Sequence, residues 1–218
     1  MREYIPLFLG VFILLLALLK AMQPTSVEIS TQKVESYRFE VAPGGRPVLV
    51  VKSDTPVNIS IFTLKEFERT RPPSIMMVNV LEARIAMPSD AGEKYVFVST
   101  SPVNLGIHPG TIAEASAEMR KGKNVERVYV KFYGRVGDVQ KIPRIAPGVV
   151  LTGHAEGEVC IVDNGELKQS SRENCYSGDF AIKFDEFKDV YIVVTKPGVV
   201  EYSVYATLEM LLALGTCG

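Results

Sequence analysis

The sequence predicts a mostly β protein: an N-terminal transmembrane helix, then two tandem antiparallel β-sandwich domains joined by a short helix. Three observations predict it. Ile5 to Leu19 is an uninterrupted run of apolar or small residues. Most of the remaining chain reads as short segments of alternating hydrophobicity between Gly, Pro and Asx turn signals, the pattern of half-buried strands. Several of these blocks recur in the same order in the second half, which favours two modules over one large one.

Residues 1–22 read as a signal-anchor. A spanning helix needs ~20 largely apolar residues, and Tyr4 to Met22 supplies them with Lys20 as the one charge. Lys20 can carry its ammonium to the interface along its apolar stem, and Tyr4 suits the opposite headgroup region. The alternative is a cleaved signal peptide, but small residues are not paired at cleavage spacing around Leu19 to Met22. No later segment is long and apolar enough to span. The expectation is therefore a single-pass protein of the cell membrane with its remaining domains outside the cytoplasm.

Residues 23–110 are expected to form the first sandwich. Tyr37, Phe39 and Val41 alternate with Arg38 and Glu40, and Val57, Ile59 and Ile61 with Asn58 and Ser60. Val48 to Val51 suits a central strand. Pro43-Gly44-Gly45, Asp54-Thr55-Pro56 and Ser101-Pro102 read as turns. Thr63 to Thr70 has room for one or two helical turns before Arg71-Pro72-Pro73, and Ile75 to Ala86 and Tyr95 to Ser99 read as strands.

Residues 111–124 are the expected connecting helix. Thr111 is placed as N-cap, Glu114 completes a capping box and Gly122 follows the C-terminus. Residues 125–218 are expected to form the second sandwich, with strands over Val128–Tyr133, Val149–Thr152, Glu158–Val162, Phe180–Phe184, Val190–Thr195 and Val199–Thr207. Leu208 to Leu214 is too short to span. It would dock on its own sandwich, extend the last strand, or meet a membrane partner or sister subunit.

The repeat aligns Ala42-Pro43-Gly44 and Val48 to Val51 with Ala146-Pro147-Gly148 and Val149 to Leu151. It aligns Pro56 to Ile61 with Gly157 to Val162, and the strand from Tyr95 with that from Tyr191. The stretches Tyr37 to Gly44, Val48 to Phe62 and Tyr191 to Val204 resemble GOLD-like sandwich modules, known from cargo-receptor proteins and from archaeal membrane-anchored exported proteins. The resemblance implies a lumenal or extracellular interaction sandwich. The anchor is N-terminal here and there is no coiled coil or cytosolic sorting tail, so the trafficking role of the cargo receptors is not implied.

The 218 residues carry 24 Lys and Arg against 25 Asp and Glu, and no Trp. Without residues 1–22, which hold Arg2, Glu3 and Lys20, the counts are 22 and 24, a net charge of −2. Neither a basic patch nor an Arg-rich arm is present, so nucleic acid is not an expected partner. The expected partners are the membrane and another protein, or a second copy of the chain.

Cys160 and Cys175 enclose a polar loop and are expected to form a disulfide in an oxidising compartment. Closing ~15 residues would stabilise by about 3 kcal/mol in the chain-entropy view. Cys217 is left over as a free or intermolecular thiol. Asn58-Ile59-Ser60 is an N-glycosylation pattern. On one extended strand His154, Glu156, Glu158 and Cys160 would share a face and resemble a metal site, but Gly153 and Gly157 argue for a hairpin turn there and the disulfide would occupy Cys160. His108 lies in a turn, and the Asp185-Glu186 pair in a charged turn. No Gly-x-Ser-x-Gly elbow or phosphate loop is present. No cofactor is expected, and the reading is of a binding protein, not an enzyme. The alternatives are a filament subunit released from its signal segment, and an exported metal enzyme resting on His154.

Overall fold

The computed structural model describes residues 29–87, 92–143, 145–164 and 174–215. The signal-anchor, the linker after it and Cys217 lie outside these. No helix among the described residues is long and apolar enough to cross a membrane.

The alternating segments form fewer and longer strands than the turn signals suggest. Ten are seen among the described residues: β1 (Ile29–Glu40), β2 (Val48–Thr63), β3 (Ile75–Ala86), β4 (Lys94–His108), β5 (Val125–Gly134), β6 (Val139–Ile142), β7 (Val150–Asp163), β8 (Cys175–Lys183), β9 (Val190–Lys196) and β10 (Gly198–Ala206). Asp54-Thr55-Pro56 and Ser101-Pro102 are not turns. Both lie inside strands, where the register between β2 and β4 shifts between Lys52 and Ile59. A bulge takes the same polar and proline residues as a turn, because its extra residues leave the ladder unpaired. Bridging hydrogen bonds hold this one: the Asn58 amide donates to Thr100 Oγ1 at 3.0 Å, and Asn58 Oδ1 accepts from the Asn79 amide at 3.0 Å. Asn79 has φ +53°, a left-handed conformation in which Asn is one of the few tolerated side chains.

Three short helices lie among the described residues: α1 (Leu64–Glu68), α2 (Ile112–Arg120) and α3 (Leu208–Gly215). The expected capping box of α2 is present. Thr111 Oγ1 accepts from the Glu114 amide at 3.2 Å, and Glu114 Oε2 accepts from the Thr111 amide at 3.0 Å. Its buried residues, Ala115 and Met119, lie one turn apart on one face. The apolar C-terminal stretch is helical and docks on its own chain. Met210 is buried, and Thr207 Oγ1 donates to the Gly148 carbonyl at 2.7 Å.

All strand pairings among the described residues are antiparallel. The sheet order is β1-β4-β2-β3-β5-β10-β7-β9-β6, with β8 branching from β7. The sheet crosses the boundary near residues 111–124 without a break, because β3 pairs with β5 from Val80↔Phe132 to Ile85↔Val128. One contiguous core runs through both halves, with Leu49, Ile59, Ile85, Phe97, Phe132, Leu151 and Tyr202 fully buried.

The pairing itself is repeated. In the first half β4 lies between β1 and β2, and β3 pairs the other edge of β2. In the second half β7 takes the place of β2, β8 that of β3, and β9 with β10 that of β4. β6 and β5 pair β9 and β10 as the two ends of β1 pair β4. Each half starts its central strand after an Ala-Pro-Gly turn whose glycine has positive φ, +72° at Gly44 and +77° at Gly148. Each ends on a helix tied to that turn: Ile112 N–H donates to the Gly44 carbonyl, and Thr207 reaches Gly148.

The sequence alignments of the second and third blocks are each off by one residue: Ile61 matches Ile161, not Val162. Tyr95 is buried and pairs Phe39 and Thr63, whereas Tyr191 is half-exposed and pairs Lys141 and Val162. With β2 and β7 superposed on buried Ile61 and Ile161, their partners Phe97 and Ile192 coincide. The inward counterpart of Tyr95 is then Val190. A slip of one residue turns every side chain to the other face.

Candidate functional site

The metal face considered from the sequence does not assemble, and for a reason other than a hairpin turn. β7 runs unbroken through Gly153 and Gly157, so the turn expected there is absent. These glycines are sites of close approach. A Cβ at Gly157 would lie 2.2 Å from the Lys196 carbonyl oxygen, and one at Gly153 2.3 Å from Phe180 Cζ. Each of the four residues of that face then has its own partner. His154 Nδ1 lies 2.6 Å from Asp179 Oδ1. Glu156 Oε2 accepts from the Val199 amide. Glu158 accepts from Thr195 Oγ1 and pairs with Lys196 Nζ at 2.7 Å. Cys160 is bonded to Cys175. No group of three metal-binding side chains forms among the described residues. His108 is exposed at the end of β4.

The disulfide is seen as expected, between residues that stand directly opposite in the β7–β8 ladder. Asn58 is exposed. Its side-chain oxygen is used by Asn79, which leaves the amide nitrogen, the atom a glycan would modify, outside that bond.

Three features emerge that single residues did not announce. The first is a row of polar side chains running straight across eight strands. Successive register partners are Lys33, Asn104, Lys52, Glu82, Lys131, Glu201, His154 and Asp179. Directly opposed residues share a face, and from Lys52 through Glu82 and Lys131 to Glu201 the signs alternate. Lys52 lies 3.7 Å from Glu82, and Lys131 2.5 Å from Glu201. The hydrogen bond from Lys131 to Glu201 raises the Lys131 pKa. Beside the row, Arg84 makes two hydrogen bonds to Glu126 and stacks 4.1 Å over the Tyr129 ring. The bond to Glu126 raises the Arg84 pKa, and burial raises that of Tyr129. The alternation cancels any large field of one sign, in keeping with the neutral composition.

The second feature is a cleft of about 370 Å³ lined by the end of β7, the start and end of β8 and the connection from β8 to β9. Tyr176, Ile182 and Phe184 contribute apolar surface, and Lys183, Glu186 and Lys188 contribute charge. Its volume is at the lower end of the range for ligand pockets. The Lys183 pKa is raised by its hydrogen bond to Glu209, and Lys188 is paired with Glu186 at 3.2 Å.

The third feature is the set of sheet edges. Among the described pairings, β1 pairs only β4, β8 only β7, and the four-residue β6 only β9. Val34 and Tyr37 on β1, and Tyr176 and Ile182 on β8, are apolar residues only partly covered by the core. The sequence signal for these edges was the alternation itself. Which strands would end the sheet was not visible, because that depends on pairing.

No family model and no curated protein matches the chain. Among solved structures it is similar to a cupin 2 conserved barrel domain protein from Leptotrichia buccalis, at 14% identity and TM-score 0.25 over 87% of this chain and 94% of that one. It is also similar to a turret protein of Sulfolobus turreted icosahedral virus, at 10% identity and TM-score 0.25 over 81% and 99%. A third is the ANXUR2 extracellular domain from Arabidopsis thaliana, at 7% identity and TM-score 0.23 over 80% and 82%. At these scores function is argued from the chain's own geometry.

Proposed function

We propose that this is a membrane-anchored extracytoplasmic interaction protein, a cell-envelope component or accessory subunit of a membrane complex. In this reading residues 1–22 hold two GOLD-like sandwich modules at the outer face of a membrane, and the modules bind protein. The observation that carries it is the pair of incompletely covered sheet edges on β1 and β8. An edge with unpaired backbone groups and half-exposed apolar side chains takes an added strand from a protein partner. The Cys160–Cys175 bond supports an oxidising compartment. The polar row is a solvated face in which Lys52 pairs with Glu82, Lys131 with Glu201 and His154 with Asp179, and no catalytic role is assigned to it.

The free edges also favour the second reading, a surface filament subunit released from its signal segment, since filaments use such edges. Fractionation of cells with N-terminal sequencing and protease protection separates the two. A chain starting at Met1 in the membrane fraction, with residues 29–215 cleaved by protease added to intact cells, is the expected result. A chain starting beyond Met22 in a soluble or filament fraction overturns the anchor and leaves the filament reading.

A further inference from the structure

We propose that copies of this chain associate head to tail, with β1 of one copy adding to the free edge of β8 of the next. The inference rests on the interaction reading above, but not on membrane anchoring. Its ground is that the chain already contains this contact once. In the repeat β8 is the counterpart of β3, and β5 that of the first part of β1. β3 and β5 form the antiparallel ladder that joins the halves. β8 and β1 are the same two surfaces with nothing paired on them among the described strands.

The register follows from the pairings. Val51 on β2 pairs Ala83 on one side and Leu105 on the other. Its counterpart Leu151 on β7 pairs Ile182 and Val204. Ile182 therefore stands where Ala83 stands. Gln32 pairs Leu105 and Val128 pairs Val204, so Gln32 matches Val128 and Val34 matches Val130. At the internal joint Ala83 is opposite Val130. At the proposed joint Ile182 of one copy is opposite Val34 of the next.

Burial agrees with this correspondence. Ala83 and Val130 are 0% exposed, because each strand covers the other. Val34 and Ile182, at the same positions of the repeat, are only partly buried. The missing cover is of the kind the internal joint supplies. One pair in the ladder opposes it: Lys183 would face Lys33, the counterparts of Arg84 and Tyr129. Glu209, already 2.6 Å from Lys183, stands beside that pair to offset the repulsion. Because the two surfaces differ, the contact is heterologous, and further copies add in the same way until the assembly closes or continues as a filament.

The test uses the full chain in detergent, with Cys217→Ser so that the terminal thiol takes no part. Val34→Cys and Ile182→Cys are made in separate preparations, mixed under mild oxidation, and the products mapped by peptide mass. The expected result is a reducible dimer bridged between positions 34 and 182 on mixing, and little or none from either preparation alone. In parallel, Val34→Lys places a charge in the ladder. It is expected to weaken self-association in sedimentation by about tenfold or more, with the circular dichroism and the Cys160–Cys175 bond unchanged. Equal cross-linking within each single preparation would mean symmetric edge pairing and overturns the proposal. A wild-type chain that stays monomeric to high micromolar concentration also overturns it, and leaves the interaction reading to the fractionation experiment.

Discussion

The two halves close the same hairpin in different ways. In the first, β2 reaches β3 through α1, held by a polar knot. Thr63 Oγ1 caps the Glu66 amide at 3.2 Å, and Glu66 returns to the Thr63 amide at 2.8 Å. The same carboxylate accepts from Ser74 Oγ at 2.7 and 2.9 Å, just before β3 begins. In the second half the counterpart hairpin, β7 to β8, is crossed by Cys160–Cys175. The matching pair in β2 and β3 is Ser60 opposite Met76. A capped helical turn can fix a connection by local hydrogen bonds worth about 1 kcal/mol each. Across the β7–β8 hairpin the fastening is a covalent link, which stabilises by limiting the unfolded chain. The difference also sets what loosens each half, acid in one and reductant in the other.

The largest expected effect comes from breaking the covalent fastening. Cys160→Ala with Cys175→Ala is expected to cost about 3 kcal/mol, a fall in Tm of roughly 6–12 °C for a chain of this size by calorimetry. The converse, Ser60→Cys with Met76→Cys in a Cys217→Ser background, is expected to form a second disulfide, seen as loss of free thiol. Failure of these directly opposed residues to couple would break the equivalence of the hairpins.

Gly157→Ala is expected next. Its counterpart Val57 is buried with a full side chain, because β4 passes that point as one strand. In the second half Lys196-Pro197-Gly198 breaks β9 from β10, and the Lys196 carbonyl presses on Gly157. The substitution is expected to cost about 2 kcal/mol in urea unfolding. A neutral result would show that the β9–β10 break can move aside.

Thr63→Ala is expected to cost about 1 kcal/mol, with faster hydrogen exchange confined to residues 63–74. The pH dependence is smaller. Burial pushes the Glu66 carboxyl up, but hydrogen bonds from Ser74 and Thr63 outweigh it and hold the pKa below the ordinary glutamate value. A depressed carboxyl stabilises above its unfolded pKa, and that contribution is lost as pH falls through its folded pKa. Exchange in residues 63–74 should therefore quicken below about pH 4, while β7 and β8 keep their protection until reductant is added. Equal acid sensitivity of both hairpins would remove the distinction.

Much of this architecture was legible in residues. The strand from Ile75 to Ala86 and the capping box of Thr111 and Glu114 depend on neighbours within four positions, so local pattern was enough. Val139–Ile142 was missed, being four residues with no long alternation. Asp54-Thr55-Pro56 misled because turns and bulges draw on the same residue types. The candidate site was less legible, since the polar row and the free edges are made of residues up to about 150 positions apart in sequence.

What the sequence determined by itself is the class: a mostly β, antiparallel chain with a repeated order of blocks, a near-neutral charge and a cysteine pair across one hairpin. These follow from composition and from interactions local along the chain. Tertiary structure alone decided that the sheet runs on from β3 to β5, that Gly153 and Gly157 are close approaches, not turns, and that β1, β6 and β8 are left at the edges. Strand pairing is a choice among distant partners made by the fit of side chains across the ladder, and no window of sequence contains both sides of that fit.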